Sequence, residues 1–402
     1  MTYSLVNASF KEEPMKLVEG GWPAEAMVGP TLPGSHYYDS AHFQRELDAI
    51  WFKTWLCAGR LEEIPHRGDY FTREIGKESV LCVRGQNDEV HTYYNVCRHR
   101  GSRICGDDQG HVSQGVLFCP YHSWGYSIDN GELVKTPNIP DDLEGFDRYQ
   151  YPLFGIKTEV WQGFVWINFD ASAPSLANWL GLPDTFVPYL RYHLDELKTG
   201  AQKTYSIEAN WKLIMENALE CYHCSTIHPE LSRCTPPTLP RYWLHEVAKE
   251  SRVLKHAGAM ELAAGFERVG ITGEVQRPLF RELTTDDSRR IFYFFIYPHV
   301  FFAMASDYVF LFTLWPTRPN HTVTRGYWLF EDEVLQNPLY SISDAVDFWD
   351  KTNQQDWVAS ELVQKGNESK AYDNGGVLIP NDWRVAKFIR YIQDQLETTS
   401  ED

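Results

Sequence analysis

The sequence lacks the features that would place it in several large classes. Its most apolar run, Ile291–Ala305, is broken by Pro298-His299 and is too short to cross a bilayer as a helix. The opening residues MTYSLVNASFKEEP have no basic-then-apolar leader pattern, so a cytoplasmic protein without a membrane anchor is expected. There is no surplus of basic charge: the formal net charge is −18, and a nucleic-acid partner would demand a basic face. That charge is compatible with a cationic substrate or a basic electron-transfer partner. No glycine-rich dinucleotide fingerprint follows a strand, so a pyridine nucleotide should bind elsewhere. Internal repeats and low-complexity tracts are absent. The eight cysteines are scattered rather than arranged as a secreted disulfide framework, which favours a metalloprotein.

What is present is enough chain for two domains, with 402 residues of which 43% are hydrophobic and 14% aromatic. Residues 1–51 form an N-terminal segment ending in a helix, in which Ser40 can act as cap and Phe43, Leu47, Ile50 and Trp51 form one apolar stripe. From 52 to 168, short alternating segments such as DYFTREI and SVLCVRG are separated by turns at Gly85-Gln86-Asn87-Asp88 and Asp129-Asn130-Gly131. This predicts a small antiparallel β domain.

Residues 169–402 make the second domain. A linker from Asp170 leads to short helices in LANWLGLPDTFVPYL, and the region 229–290 has weak periodicity, either a lid or a surface excursion. A meander of strands follows in RIFYFFIY, VFFAMA, YVFLFTLWP and HTVTRGYWLFE. A helix from about Ser341 to Gln364 comes next, with Trp357, Leu362 and Val363 facing a core, and a last helix, NDWRVAKFIRYIQDQLE, packs on the outside. The fold class is α+β.

Two constellations carry chemistry. Cys97-x-His99 and Cys119-x-x-His122 are paired short loops separated by nineteen residues. Two Cys and two His suit tetrahedral zinc or a Rieske cluster, in which two His replace two Cys on one iron. Zinc sites usually pair Cys with Cys; here each loop supplies one of each, the Rieske order. Downstream, NWKLIMENALECYHCSTIHPEL sets Glu220, His223 and His228 at i, i+3 and i+8, able to converge if the helix bends or ends near Pro229. Two His and one carboxylate is the facial set for ferrous iron. The carboxylate could be Glu220 or Asp356, with Asp350 and Glu361 as nearby competitors.

With both constellations in one chain, the sequence resembles the catalytic α subunit of the Rieske non-haem iron oxygenases. The resemblance rests on NVCRHRGSRIC, FCPYHSWGYSIDNG, the NWK…EN…E-x-x-H-x-x-x-x-H run and the D-x-x-x-x-E-x-x-x-x-G around Asp356. One departure is a slightly longer spacer, in GDDQGHVSQG, which should only lengthen a surface loop.

The resemblance implies a catalytic domain in which a curved antiparallel sheet grips a long helix. It implies one [2Fe-2S] cluster on Cys97, His99, Cys119 and His122, and one Fe(II) on His223, His228 and Asp356. Glu220 then becomes a bridge between His122 of one subunit and His223 of the next in a homotrimer, although many family members have Asp there. Electrons would come from NAD(P)H through a separate flavin/iron–sulfur reductase, and O2 would be the oxidant.

The local wording is most similar to the group acting on quaternary ammonium compounds, the glycine betaine monooxygenases and stachydrine demethylases, which implies oxidative N-demethylation with release of formaldehyde. Hydroxylation of an aromatic ring or aromatic acid is the alternative. A methylammonium group calls for an aromatic cage, each ring face contributing roughly 0.5–2 kcal/mol. Tyr293, Phe295, Phe301, Tyr308, Phe310 and Trp315 are the candidates.

Overall fold

The computed structural model describes residues 28–140, 142–181, 191–237, 241–243 and 256–398. Residues 1–27 of the N-terminal segment, the whole of LPDTFVPYL and the middle of 229–290 lie outside the described residues.

The N-terminal helix α1, Ser40–Glu46, is capped by Asp39, not Ser40: the His42 N–H donates to Asp39 Oδ1 at 2.7 Å. A carboxylate one residue earlier reaches the free amides of the first turn and leaves Ser40 inside the helix. A π-helical turn, Leu47–Trp51, carries the chain into the first domain.

That domain contains β1 Leu56–Arg60, β2 Asp69–Ile75, β3 Glu78–Arg84, β4 Val90–Tyr94, β5 Gln109–His111, β6 Val116–Phe118, β7 Gly125–Ser127, β8 Leu133–Lys135, β9 Gly155–Trp161 and β10 Phe164–Asn168. Seven strands form an antiparallel sheet in the order β1-β10-β9-β4-β3-β2-β5, and β6-β7-β8 form a separate three-stranded sheet. Both sequence-read turns are present. Gly131 has φ 73°, and a Cβ there would lie 2.8 Å from the Tyr93 ring, so the β7–β8 turn requires glycine.

The second domain begins with the short helix α2 Leu176–Leu180 and the ten-residue β11 Lys198–Ile207. Next come α3 Trp211–Leu219, α4 Cys224–Ile227, α5 Pro229–Cys234, β12 Arg241–Trp243 and β13 His256–Glu261. The meander is β14 Arg290–Ile296, β15 Val300–Met304, β16 Val309–Arg318 and β17 His321–Phe330, followed by α6 Asp332–Gln336, α7 Ser343–Asn367 and α8 Trp383–Thr398. The antiparallel order is β11-β17-β16-β15-β14-β13-β12. Part of the weakly periodic 229–290 region therefore extends the sheet: β13 pairs with β14 along its whole length, from His256 opposite Phe295 to Glu261 opposite Arg290. Small residues hid it, because Gly258 and Ala259 give a strand little apolar alternation.

Along β14, β15 and β16 both faces of this sheet are buried. Phe295, Phe301, Phe310, Phe312 and Trp328 belong to a core shared with α3, α7 and α8. Phe292, Phe294, Phe302, Leu311 and Tyr327 face the other way, against Trp55, Phe164 and Trp166 of the first domain. The domains are also stitched by the Cys57 N–H donating to His299 Nε2 at 2.6 Å. Burial pushes His299 down to about 3, which keeps it a neutral acceptor.

The NWK run seats α3. Asn210 caps it by accepting from the Lys212 N–H at 3.0 Å, and its amide reaches the Pro319 carbonyl at 2.6 Å. Glu46 of α1 receives Trp211 Nε1 at 2.8 Å and Lys212 Nζ at 2.6 Å, with both members of that ion pair fully buried. Removing one partner of such a pair typically costs about 3–5 kcal/mol, so α1 and α3 are fixed to one another.

Two further expectations need correction. Trp357 on α7 is buried, but Leu362 and Val363 are 63% and 51% exposed. The inward stripe instead runs through Phe348, Trp349, Thr352, Asn353, Ser360 and Gln364, and at its polar end Gln364 accepts from the Asn210 N–H at 2.9 Å and donates to the Tyr37 carbonyl at 3.2 Å. Nor is α8 a mere outer covering: Val385, Phe388, Ile389 and Ile392 form a helical stripe in the shared core, with Phe388 edge-on to Trp211 at 5.8 Å. Among the described residues no helix is long and apolar enough to cross a membrane.

Candidate metal centres

The ligand segment is not one helix. α3 ends at Leu219, and Glu220 is extended at φ −127°, ψ 160°. Its carboxylate then starts a new turn, with Oε2 accepting from the backbone N–H of Tyr222 and, at 3.3 Å, of His223. The helix resumes as α4, and Pro229 opens α5 at a position where its missing N–H costs nothing. His223 and His228 thus flank a single short turn, and the break rather than a continuous face brings them together.

Asp356 comes from the middle of α7. Its Oδ1 lies 2.8 Å from His228 Nε2 and 3.4 Å from His223 Nε2, and one donor atom from each of the three residues falls within 4.8 Å of the others. The outer nitrogens are occupied: His228 Nδ1 lies 2.8 Å from Gln355 Oε1, and His223 Nδ1 pairs with Glu220 Oε1. Both imidazoles therefore direct Nε2 inward. Burial works against the charged form of His223, but its bonds to Asp356 and Glu220 prevail and raise it to about 9. Burial likewise opposes ionisation of Asp356, yet the two imidazoles hold it below the usual carboxylate range. The result is a two-nitrogen, one-oxygen set, buried at His228 and half-buried at His223 and Asp356, that a divalent cation fits, with the remaining directions open to a cavity.

The competing carboxylates are engaged elsewhere. Asp350 pairs with Lys203 at 2.7 Å and accepts from Tyr205 at 2.6 Å, and Glu361 accepts from the Glu208 N–H at 3.2 Å.

The cavity beside the metal donors is lined by Tyr293, Phe295 and Phe301, three of the six candidate cage residues. It is also lined by Phe312 and Trp349, which the sequence reading missed. Phe301 is central, with ring centroids 5.8 Å from Tyr293, 5.1 Å from Phe295, 5.0 Å from Phe312 and 6.2 Å from Trp349. Tyr308 and Phe310 stand behind Trp349: its Nε1 donates to Tyr308 Oη at 2.9 Å, and Phe310 stacks on it at 4.9 Å. Trp315 lies away from the cavity, 6.3 Å from His299. Trp349 carried a usable signal, since Trp349, Thr352, Asn353 and Asp356 are i, i+3, i+4 and i+7 on α7 and all line the cavity.

The first domain holds the other donors in two separate pairs. Cys97 and Cys119 are 3% and 2% exposed. His99 and His122 are exposed, their ring centroids 4.7 Å apart, with His99 stacked on Trp124 at 4.6 Å. Among the described residues, the group of three or more donors able to surround one ion is His223, His228 and Asp356, so these four do not gather about a single point as tetrahedral zinc requires. Buried thiols on one side and exposed imidazoles on the other fit a two-iron cluster. Asn95 secures the first loop, its Oδ1 accepting from the N–H groups of Ile104 and Cys105 at 3.1 and 2.9 Å. Tyr126 Oη lies 3.2 Å from Cys97 Sγ and accepts from the Arg98 N–H at 3.0 Å. Arg98 stacks on Phe154 and Arg103 pairs with Glu74, so both flanking arginines fix the loop surface.

Cys221 and Cys224, on either side of His223, are joined as a disulfide, while the other six cysteines are free and buried. The Cys221-x-x-Cys224 spacing was the signal for this pair, and the sequence reading did not use it.

Comparison with known proteins agrees with this geometry. Residues 54–150 match the Rieske [2Fe-2S] domain, and residues 194–398 match the ring hydroxylating alpha subunit (catalytic domain). The chain is 31% identical over 392 residues to the glycine betaine monooxygenase oxygenase subunit of Pseudomonas aeruginosa (strain UCBPP-PA14), covering 91% of this chain and 89% of that one. It is 35% identical over 213 residues to the carnitine monooxygenase oxygenase subunit of Escherichia coli (strain K12), covering 53% and 55%. The crystal structure of the quaternary ammonium Rieske monooxygenase CntA with L-carnitine shares the fold, with a TM-score of 0.71 at 23% identity over 92% of this chain and 97% of that one. The chain belongs to the α subunits of the Rieske non-haem iron oxygenases, enzymes whose cofactors are one [2Fe-2S] cluster and one mononuclear iron.

Proposed function

We propose that this chain is the terminal oxygenase of a multi-component monooxygenase that removes an N-methyl group from a quaternary ammonium compound of the glycine betaine or proline betaine type. The observation that carries the reading is the five-ring cavity opening directly on His223, His228 and Asp356. Ring faces attract a desolvated ammonium, and five of them beside a facial metal set would hold a methyl group where oxygen is delivered. The names of the betaine and carnitine relatives support the same substrate class.

In this reading residues 52–168 form the electron-accepting unit and 169–402 the catalytic unit. Cys97, His99, Cys119 and His122 hold the cluster, and His223, His228 and Asp356 hold the iron; when bound, these centres supply single electrons and activated dioxygen. Gln355 and Glu220 fix the two imidazoles, and the rings present one N-methyl group to the metal position while excluding water. Glu220 also links His223 to His122 of the partner subunit in a homotrimer. A separate flavin/iron–sulfur reductase brings electrons from NAD(P)H.

The chemistry balances as follows. One atom of O2 enters a C–H bond of the N-methyl group, and the other leaves as water with two electrons and two protons. The N-hydroxymethyl product then loses formaldehyde and one proton to give the tertiary amine. The test is formaldehyde release by the iron- and cluster-loaded chain with a surrogate reductase, offered glycine betaine, proline betaine, choline, carnitine and benzoate-type acids. Formaldehyde from betaines supports the assignment; a hydroxylated arene without formaldehyde would replace it with aromatic hydroxylation.

A further inference from the structure

A betaine has two ends, and the aromatic rings account for one. Among the described residues lining the cavity, the charged side chains other than the histidines are Glu220, Asp356 and Arg384. The two carboxylates face His223 and His228. Arg384 is therefore the one Lys or Arg on the described wall.

It comes from an element that supplies none of the rings. Arg384 is the second residue of α8, whose start is set by the Pro380–Asp382 turn, with the Ile379 N–H donating to Asp382 Oδ2 at 2.9 Å. The four-residue stripe Val385, Phe388, Ile389 and Ile392 anchors the helix in the core, so its first turn is fixed relative to the sheet. The guanidinium carbon lies 5.6 Å from the centre of the neighbouring Trp383 ring. Arg384 also has a partner within the protein. A guanidinium offers five N–H donors in a planar fork, enough to keep that contact and take a carboxylate as well.

We propose that Arg384 is the carboxylate-binding residue of the cavity, so that the substrate is a zwitterion gripped at its ammonium by the rings and at its carboxylate by α8. This deepens the N-demethylase reading and rests on it. A cationic residue would repel a bare ammonium; its presence in a ring-lined cavity makes sense for a molecule that carries its own anion a few bonds away. Holding both ends also fixes which N-methyl group faces the metal position. Choline, with a hydroxyl in place of the carboxylate, would gain only the ring contacts.

The experiment is calorimetric binding of glycine betaine, proline betaine, choline and benzoate to the holoenzyme and to Arg384→Gln and Arg384→Lys, with iron content and the cluster's visible spectrum recorded for each. Loss of a charged hydrogen bond should weaken betaine binding about 10- to 100-fold in Arg384→Gln while changing choline by less than about threefold. Arg384→Lys, which keeps the charge but not the fork, should fall between and guards against a folding defect. Equal weakening of betaines and choline, or betaine binding unchanged in Arg384→Gln, overturns the assignment while leaving the N-demethylase reading intact. If the parent binds benzoate and no quaternary ammonium compound, both fall together.

Discussion

His228 Nδ1 lies 2.8 Å from the side-chain oxygen of Gln355, the residue that immediately precedes the proposed iron ligand Asp356. The pair ties two adjacent residues of α7 to the two nitrogens of one imidazole: Gln355 outside and Asp356 inside. The helix that supplies one proposed metal donor therefore also orients another.

Replacing Gln355 by Leu should leave His228 free to rotate and to choose the other tautomer. Iron affinity is expected to drop about 10- to 100-fold, with the cluster spectrum unchanged. His223→Ala should abolish mononuclear iron binding with the same spectrum retained. Metal analysis beside visible absorption checks both, and a loss of cluster signal in step with iron would count against two independent centres.

Trp349 forms part of the ring wall and donates its Nε1 to Tyr308. Trp349→Leu should raise the dissociation constant of a quaternary ammonium substrate about 2- to 30-fold. Tyr308→Phe loses only the supporting bond and should have the smaller effect. Binding that is unaltered in Trp349→Leu would remove this ring from the cage.

Part of this site was legible in the chain and part was not. The proposed cluster donors and the two proposed His ligands could be picked out because each pair sits within a short stretch of chain, and spacing is then nearly geometry. Asp356 lies more than a hundred residues on, and only resemblance chose it over Asp350 and Glu361. The cage rings could not be sorted because the sheet is apolar on both faces: Phe294 and Phe302 stack at 4.2 Å on one side while Phe301 and Phe312 meet at 5.0 Å on the other. Alternation distinguishes faces only when one of them is wet. Arg384 was invisible among 37 Lys and Arg residues, since nothing local marks a helix start as the wall of a cavity built elsewhere.

Glu216, on α3 one turn before Glu220, accepts from Tyr37 Oη at 2.9 Å. Burial raises its carboxyl to about 7, against the smaller opposing pulls of Tyr37 and Lys212. A raised folded-state value means the native protein binds this proton more tightly than the unfolded chain. Its contribution to stability is full below the ordinary carboxylate range, falls as pH rises toward about 7, and is lost above it. Glu216→Gln, which mimics the protonated form, should match the parent at about pH 4, below the ordinary carboxyl value, and be more stable at about pH 8, above the raised one. Thermal melts of the two proteins across that range check the sign, and parallel melting curves would show that Glu216 ionises freely.

The central claim is that electrons stored on Cys97, His99, Cys119 and His122 are used at His223, His228 and Asp356 through Glu220. It is tested most directly by single turnover of the pre-reduced, iron-loaded protein without reductase, following cluster absorbance and formaldehyde together after betaine and O2 are added. In the parent, the cluster should oxidise as formaldehyde appears. In Glu220→Gln both metals should remain bound while both signals slow together, because the bridge has lost its charge and one acceptor. Parental rates in Glu220→Gln, or formaldehyde formed while the cluster stays reduced, would contradict the account.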